Sequence, residues 1–159
     1  MTSSKRSNNS QKEIHNKKAV HNYLIGDKFE AGVVLCGTEV KAIRQGQAQI
    51  SDAFVRFNRA SDAILFNANI AEYSFGNTEN HPVTRARKLL LHKNELKKLK
   101  AAIEIDGLAV LPLRMFFSHG LVKVEIAICR GKKLFDKRET LKKRTALREA
   151  ERALARFKR

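Results

Sequence analysis

The chain has 159 residues and carries 32 Lys+Arg against 16 Asp+Glu, a net charge of +16. This length allows one domain with a hydrophobic core, and the charge predicts an anionic partner, first of all nucleic acid, because each neutralised phosphate releases counterions. No apolar run approaches the roughly 20 residues that a membrane-spanning helix needs, and the polar N-terminus has no signal-peptide core. We therefore expect a cytoplasmic protein without a membrane partner.

Three segments differ in composition along the chain. Residues 1–14 contain mainly Ser, Asn, Gln and Lys, and we predict that they are disordered. Residues 15–130 contain most of the apolar residues and are expected to form the folded domain. Residues 131–159 are expected to form a basic C-terminal tail.

Within the predicted domain the apolar residues mostly alternate, which indicates strands. The first strand is predicted over residues 29–36. Residues 53–57 and 64–70 then predict an antiparallel hairpin with one face in water. We expect its buried face to consist of Ala53, Val55 and Phe57 on one strand and of Ile64, Phe66, Ala68 and Ile70 on the other.

Two further strands are predicted over residues 108–117 and 121–129. Leu111, Leu113, Met115 and Phe117 are expected on one side of the first, and Pro112 belongs on an edge or at a bulge because it has no N–H. The second has Val122, Val124, Ile126 and Ile128 on one face, with Lys123 and Glu125 on the other.

Two helices are expected between the strands. Thr38 is a suitable N-cap for a short helix that ends at Gly46. A longer helix is predicted from His92 or Lys93 to Ile105. Residues 74–88 read as a long irregular basic loop. Several short strands with few helices predict a mainly β fold, a small antiparallel barrel.

The tail has a distinct pattern of charge. Residues 130–159 contain 13 Lys+Arg and 4 Asp+Glu and no Pro. Arg144, Arg148, Arg152 and Arg156 recur every four residues, and a helix would align them on one side, where they repel one another. Leu147, Ala150, Leu154 and Phe157 form a narrow apolar stripe. We expect a tail that is largely unstructured alone and helical on its partner; an amphipathic helix docked on the domain is the alternative.

Two motifs could contact RNA. In residues 37–41 (GTEVK), Glu39 either complements the dipole of a helix N-terminus or accepts hydrogen bonds from base or ribose donors. In residues 131–138, the basic segment is either a flexible linker or a phosphate clamp, with Asp136 capping the tail helix or orienting Lys137 and Arg138.

Catalytic and metal sites are not expected. The five histidines have no metal-ligand spacing and no acid cluster accompanies them. Cys36 and Cys129 are isolated in apolar segments, so we expect two small buried side chains and neither a disulfide nor a zinc site. The sequence therefore predicts no cofactor and no enzymatic activity.

Several blocks of the sequence closely resemble the small protein B family, the SsrA-binding proteins. The blocks are residues 16–19 (NKKA), 29–32 (FEAG), 37–41 (GTEVK), 87–93 (RKLLLHK), 130–133 (RGKK) and 136–140 (DKRET). Their order and spacing make the resemblance specific. Val20 and Asn22 depart from the family's usual basic and acidic residues at these positions.

The resemblance implies a six-stranded antiparallel barrel similar to an OB-fold, with short helices at its ends. It further implies that the barrel binds the tRNA-like domain of tmRNA (SsrA RNA) near its elbow. The tmRNA-binding residues that follow from the family's motifs are Glu39, Asn16, Lys17, Lys18, Lys41, Leu91, His92, Arg87 and Lys88. Leu90 and Leu91 could equally belong to the core.

For the tail, the resemblance implies entry into a stalled ribosome, at the decoding centre and in the vacant mRNA channel. The residues expected to act there are Gly131, Lys132, Lys133, Asp136, Lys137, Arg138, Arg144 and Arg148. The expected function is delivery of tmRNA for trans-translation, ribosome rescue and tagging of incomplete proteins, by a monomer. The alternatives are a structural ribosomal protein with a basic extension and a small nuclease, for which no acid or histidine cluster is found.

Overall fold

The computed structural model describes residues 12–76 and 80–157, without the side chains of Leu134, Phe135 and Phe157. Of the segment 1–14 that was predicted to be disordered, residues 1–11 lie outside the described residues, whereas Ile14 pairs antiparallel with Met115. The strands are β1 (Ile14–His15), β2 (Tyr23–Val33), β3 (Ala48–Gln49), β4 (Phe54–Phe57), β5 (Ala63–Phe66), β6 (Asn69–Ile70), β7 (Arg87–Leu90), β8 (Ala109–Ser118) and β9 (Leu121–Gly131). The helices are α1 (Lys17–Asn22), α2 (Gly37–Arg44), α3 (Lys93–Glu104) and α4 (Leu134–Phe157).

Six of the strands form a closed ring. Their order is β8, β4, β5, β7, β2 and β9, and β9 pairs again with β8. All these pairings are antiparallel. The ring confirms the expected mainly β fold with six antiparallel strands and helices. β1 pairs with β8, and β3 pairs with β6 in a separate two-stranded sheet.

The main core fills the ring, and a second, smaller core lies under α1. Val122, Val124 and Ile126 of β9 point into the main core as predicted. The opposite face of β9 begins with the charged residues Lys123 and Glu125. Further along the same face, Ala127 and Cys129 pack in the second core. The strand is therefore covered on both sides near its end, which strict alternation of polar and apolar residues did not indicate.

Pro112 lies at a register shift between β8 and β9, as its missing N–H predicts. The shift changes which side chains face the main core. Leu111 and Leu113 belong to the second core, whereas Met115 and Phe117 pack in the main core. The expectation that all four lie on one side is therefore wrong, because a bulge interrupts the alternation of faces.

The predicted second strand of the hairpin is interrupted at Asn67, which adopts a positive φ of 55°. Ala63 and Leu65 are buried before this point, and Ala68 and Ile70 are buried after it. Ile64 and Phe66 therefore face outward, contrary to expectation, and Phe66 stacks on Phe54 at 5.6 Å between ring centroids. The left-handed residue shifts the phase of the pattern by one position.

The predicted helix boundaries agree with the structure more closely than the predicted N-cap does. α3 starts after His92 and ends at Glu104, as predicted. α2 begins two residues earlier than expected, with Cys36 as its N-cap, so Thr38 is not the cap. Gly46 follows α2 with a φ of 77°, which suits a glycine at a helix end. α1, β1, β3 and β7 were not predicted from the sequence, and β6 lies within the longer strand that was predicted over residues 64–70.

The segment predicted as a long irregular loop is shorter than expected. Arg87 and Lys88 begin β7, which pairs with β5 and β2. Residues 77–79 of this segment lie outside the described residues. The basic residues of the loop thus belong partly to the barrel wall, where their backbone is held by strand pairing.

Candidate nucleic-acid interface

Glu39 lies at the first turn of α2 and is fully buried. Its Oε2 atom accepts hydrogen bonds from the backbone N–H of Cys36 at 2.8 Å and from Nη2 of Arg85 at 2.6 Å. Its Oε1 atom accepts from Nε of Arg87 at 2.8 Å and from Nε of Arg85 at 3.2 Å. The carboxylate is therefore surrounded by donors of the protein itself.

Arg87 is also fully buried and connects several parts of the chain. Its Nη1 atom donates to the carbonyl oxygens of Ala68 at 2.6 Å and Arg85 at 2.8 Å, and Nη2 donates to that of Val83 at 3.1 Å. The guanidinium thus joins α2 to the β5–β6 connection and to the segment before β7. Neither Glu39 nor Arg87 presents a polar atom to solvent in this arrangement.

The charges of this cluster shift the pKa values in directions that the contacts explain. Burial alone would raise the pKa of Glu39, but the hydrogen bonds from Arg85, Cys36 and Arg87 outweigh it and hold that pKa below its ordinary value. Glu39 raises the pKa of Arg85. Burial lowers the pKa of Arg87, and Glu39 partly offsets this effect. Both guanidinium groups stay protonated at neutral pH.

A buried histidine supports the same end of α2. The ring of His81 lies between the Oγ1 atom of Thr38, 2.9 Å from Nδ1, and the carbonyl oxygen of Ile70, 3.0 Å from Nε2. Because a carbonyl oxygen can only accept, Nε2 carries a proton and donates. Thr38 therefore attaches α2 to the loop before β7.

Asn16 is buried and acts as the N-cap of α1. Its Oδ1 atom accepts from the backbone N–H of Ala19 at 2.9 Å, and its Nδ2 atom donates to the carbonyl oxygens of Ile50 and Pro112. Every polar atom of this side chain is used within the fold. The neighbouring Lys17 and Lys18 are exposed, and Lys18 pairs with Asp52 at 2.8 Å.

The remaining predicted tmRNA-binding residues of the barrel differ in their exposure to solvent. Lys41, Lys88 and His92 are exposed, whereas Leu91 packs against the main core. Lys88 pairs with Asp62 at 2.9 Å. The backbone N–H of His92 donates to Oε2 of Glu95, which closes the N-terminus of α3. Lys41 and Lys88 therefore carry their ammonium groups at the surface, whereas Leu91 supports the barrel.

The start of the tail is attached to α1. Gly131 pairs with Tyr23 at the end of β9. The backbone N–H of Lys132 donates to the carbonyl oxygen of Asn22 at 3.0 Å, and its Nζ atom donates to that of Val20 at 3.2 Å. Lys133 is exposed. The link between barrel and tail is therefore held by backbone contacts to the segment that also carries Lys17 and Lys18.

Asp136 lies in the first turn of α4, where a carboxylate complements the helix dipole, and it is not the N-cap. Its carbonyl oxygen accepts from Oγ1 of Thr140 at 2.8 Å. Among the described residues no ion pair joins Asp136 to Lys137 or Arg138. The carboxylate therefore does not orient these two cations in the way that one of the alternatives required.

A groove separates the first turns of α4 from α1. Its volume is about 460 Å³, and its lining includes Val20, Leu113, Leu141 and Arg144 together with His15, Lys17 and His21. Beyond this groove α4 leaves the barrel. Arg144 and Arg148 are exposed, and so are Leu147 and Leu154 of the apolar stripe. The side chain of Phe157 lies outside the described residues.

The structure thus assembles two sets of predicted residues. Lys41 and the buried Glu39–Arg87 pair lie at α2 and β7, and residues 16–18 lie with the base of the tail. Arg85 and His81 were not predicted as site residues, because loop residues give no periodic signal. Cys36 was predicted to be buried, but its thiol is exposed; Cys129 is buried as expected.

Within residues 12–76 and 80–157, no helix is long and apolar enough to cross a membrane. In the same part of the chain, no three His, Cys, Asp or Glu side chains are grouped as a metal site requires.

The sequence matches the family model described as SmpB protein over residues 13–156. The SsrA-binding protein of Pelobacter propionicus is 50% identical over 140 residues, which cover 88% of this chain and 91% of the relative. The SsrA-binding protein of Streptomyces avermitilis is 51% identical over 144 residues, 91% of this chain and 81% of the relative.

A solved structure gives the same result at the level of the fold. It is described as "tmRNA-SmpB: a journey to the center of the bacterial ribosome". One of its chains superimposes with a TM-score of 0.65 and 41% sequence identity, covering 77% of this chain and 85% of that chain. The match includes both sequence and fold, so it reaches beyond general barrel architecture.

Proposed function

Because the chain belongs to the SmpB protein family, we propose that it binds the tRNA-like domain of tmRNA and delivers it to stalled ribosomes. The delivered RNA then supports trans-translation, which rescues the ribosome and tags the incomplete protein for degradation. The supporting relatives are SsrA-binding proteins, and the structural neighbour is a complex of tmRNA and SmpB with the ribosome. A structural ribosomal protein with a basic extension is not favoured, since the family match covers both barrel and tail.

One feature of the fold supports separate roles for the barrel and the tail. α4 projects from the barrel with its arginines and leucines exposed, although its base is attached to α1. A basic helix that contacts little of its own domain has its charged surface free for phosphates of a second RNA surface. The barrel can then hold one RNA while the tail binds another.

In this proposal exposed polar side chains of the barrel contact tmRNA directly. These are Lys17, Lys18, Lys41, Lys88 and His92. Structured RNA is recognised mainly by shape and by contacts to phosphate and 2′-hydroxyl groups, which suits exposed lysines on a rigid barrel. Asn16, Glu39, Arg87 and Leu91 serve the same surface from inside the fold by holding α1, α2 and β7 in position.

For the tail, we propose that residues 131–159 enter the mRNA channel near the decoding centre. Gly131, Lys132 and Lys133 set the direction of the tail, and Asp136, Lys137, Arg138, Arg144 and Arg148 act on the ribosome. Arginines spaced four residues apart repel one another in a free helix, and phosphates of ribosomal RNA would remove this repulsion. The tail is therefore most stable as a helix when it is bound.

The chain itself catalyses no step and needs no cofactor in this scheme, and one copy acts on each RNA. Its place of action is the ribosome, in the cytoplasm. Binding free energy from the barrel and the tail is sufficient for delivery, since peptide transfer belongs to the ribosome.

The test combines an RNA-binding assay with reconstituted tagging on ribosomes stalled without a stop codon. The full chain is compared with a variant in which Asp136, Lys137 and Arg138 are all changed to Ala. The variant should bind transcribed tmRNA within about threefold of the unmodified chain, because it loses only two of the many cations that contribute to RNA affinity, and it should fail to support tagging.

Two outcomes would contradict the proposal. If the unmodified chain binds ribosomal subunits but not tmRNA, the structural ribosomal protein becomes the better assignment. If the triple variant loses tmRNA binding, the barrel and the tail do not act separately.

A further inference from the structure

An exposed aromatic pair lies on the loop between β6 and β7. The rings of Tyr73 and Phe75 meet edge to face, with 5.6 Å between centroids and 64° between planes. The side chain of Phe75 is 77% exposed, the most of any described phenylalanine. The ring belongs to neither hydrophobic core, and most of its apolar surface remains in contact with water.

The loop holds this pair in a defined position. The backbone N–H of Tyr73 donates to Oδ1 of Asn80, and Nδ2 of Asn80 donates to the carbonyl oxygen of Tyr73, both at 3.0 Å. The N–H of Gly76 also donates to that oxygen, at 2.9 Å. A Cβ at Gly76 would lie 2.6 Å from Oδ1 of Asn80, so a larger residue there would displace the Asn80 side chain from these hydrogen bonds.

The same loop is joined to α2, which supplies a cation. The Nζ atom of Lys41 lies 5.2 Å from the centroid of the Tyr73 ring. At the end of the loop, His81 bonds to Thr38 of α2 and to the carbonyl oxygen of Ile70. The described residues on both sides of positions 77–79 therefore contact α2, Tyr73 through Lys41 and His81 through Thr38.

We propose that Phe75 stacks on an unpaired base of the bound RNA, with Lys41 beside it against a neighbouring phosphate. The inference deepens the proposed function and rests on it. An exposed ring offers a π-face to any base, and stacking contributes affinity without requiring a particular sequence. The net charge of +16 favours a nucleic acid over another apolar partner. Glu72, next to Tyr73, is also exposed, and its negative charge opposes contact with a phosphate. The exposed ring, and not the charge of the loop, is therefore the reason to propose an RNA contact here.

The contact thus recognises a looped-out nucleotide, a feature that folded RNA has and a paired helix lacks. In this scheme the lysines of the barrel contact phosphates of the RNA, and Phe75 stacks on one displaced base. Sequence-tolerant stacking also explains how a surface ring could serve a structured RNA without reading its base identity.

The experiment measures binding of the full chain to transcribed tmRNA at several salt concentrations. Phe75→Ala and Phe75→Leu should each weaken binding by roughly 5- to 150-fold, the effect of losing one base–aromatic stack. Phe75→Tyr should stay within about threefold of the unmodified chain, since the ring is kept. Ile105→Ala is the matched control, because Ile105 is 80% exposed and apolar but not aromatic, and it should have no effect.

Salt dependence separates stacking from phosphate contact. Phe75→Ala should leave the slope of log affinity against log salt unchanged, whereas Lys41→Ala should reduce it by about one. Thermal unfolding should be unchanged in Phe75→Ala, because the ring is exposed.

Each remaining outcome has a definite meaning. If the unmodified chain binds tmRNA and Phe75→Ala binds equally well, the stacking inference is wrong while the proposed function stands. If Phe75→Leu keeps full affinity, the contact is generally apolar, as with a protein surface or a second copy, and base stacking is again rejected. If the unmodified chain does not bind tmRNA, the proposed function itself fails.

Discussion

Arg87 donates a hydrogen bond from Nε to Oε1 of Glu39 at 2.8 Å, and neither side chain is exposed to solvent. The two residues lie 48 positions apart in the chain. Arg85 adds a second guanidinium from the partly exposed side. The pair therefore joins α2 to the barrel through an ionic contact that excludes water.

Replacement of Glu39 by Gln should destabilise the protein strongly. Gln keeps the size of the side chain but leaves the buried Arg87 without a counter-ion, and breaking a buried pair costs about 3–5 kcal/mol. Urea unfolding at pH 7 measures the difference. The control is Glu30→Gln, since Glu30 pairs with Lys123 at the surface and its loss should cost about 1 kcal/mol or less. Equal effects of both changes would refute the buried-pair interpretation.

The effect of Glu39→Gln should depend on pH. The pKa of Glu39 is lower in the folded protein than its ordinary value, so its stabilising effect is complete above about pH 4.3, the unfolded value. As the pH falls below this value towards the folded pKa, the protein should lose this contribution. The difference in unfolding free energy between the unmodified chain and the variant should therefore shrink as the pH falls below about 4.3. A difference that stays constant over this range would show that ionisation of Glu39 is not coupled to folding.

Asn16→Ala should lower stability before it affects RNA binding. The change removes the cap of α1 and leaves the carbonyl oxygens of Ile50 and Pro112 without their donor, which we expect to cost about 2 kcal/mol or more. Differential scanning calorimetry and tmRNA binding below the transition test this. Lys17→Ala is the comparison, with weaker binding and unchanged melting temperature. Weaker binding by Asn16→Ala at unchanged stability would instead make Asn16 a direct contact.

The two thiols should differ in reactivity. Cys36 is exposed, whereas burial raises the pKa of the Cys129 thiol to about 11. A disulfide reagent at pH 8 should therefore modify one thiol per folded chain and two after unfolding in urea. In Cys36→Ser the folded chain should show no rapid reaction. Rapid modification of both thiols under native conditions would mean that the second core opens readily.

A helix-breaking change in the exposed part of α4 should separate tail function from the barrel. Ala150→Pro interrupts the helix at a cost of about 3 kcal/mol locally, but Ala150 is exposed and belongs to neither core. Tagging on stalled ribosomes should fall steeply while tmRNA affinity stays constant. Ala150→Ser, which is compatible with a helix, should retain tagging. Normal tagging by the proline variant would show that the bound tail does not need a continuous helix.

Much of the architecture could be predicted because it depends on local patterns. The inward face of β9, the bounds of α3 and the bulge at Pro112 all follow from periodicity, capping and the missing proline donor. The faces of β5 were misassigned, since a single left-handed residue, Asn67, shifts the alternation and no neighbouring residue signals it. α1 was missed because six residues are too few for a clear helical period.

By itself, the sequence predicted an RNA partner and indicated which family the chain resembles, because charge and short motifs are properties of the linear order of residues. Only the tertiary structure decided what those motif residues contact. It placed Glu39, Arg87 and Asn16 inside the fold, and it left Phe75, which belongs to no motif, at the surface. The physical reason is that burial and ion pairing depend on partners distant in the chain, such as Arg87 for Glu39, which neither charge nor periodicity identifies.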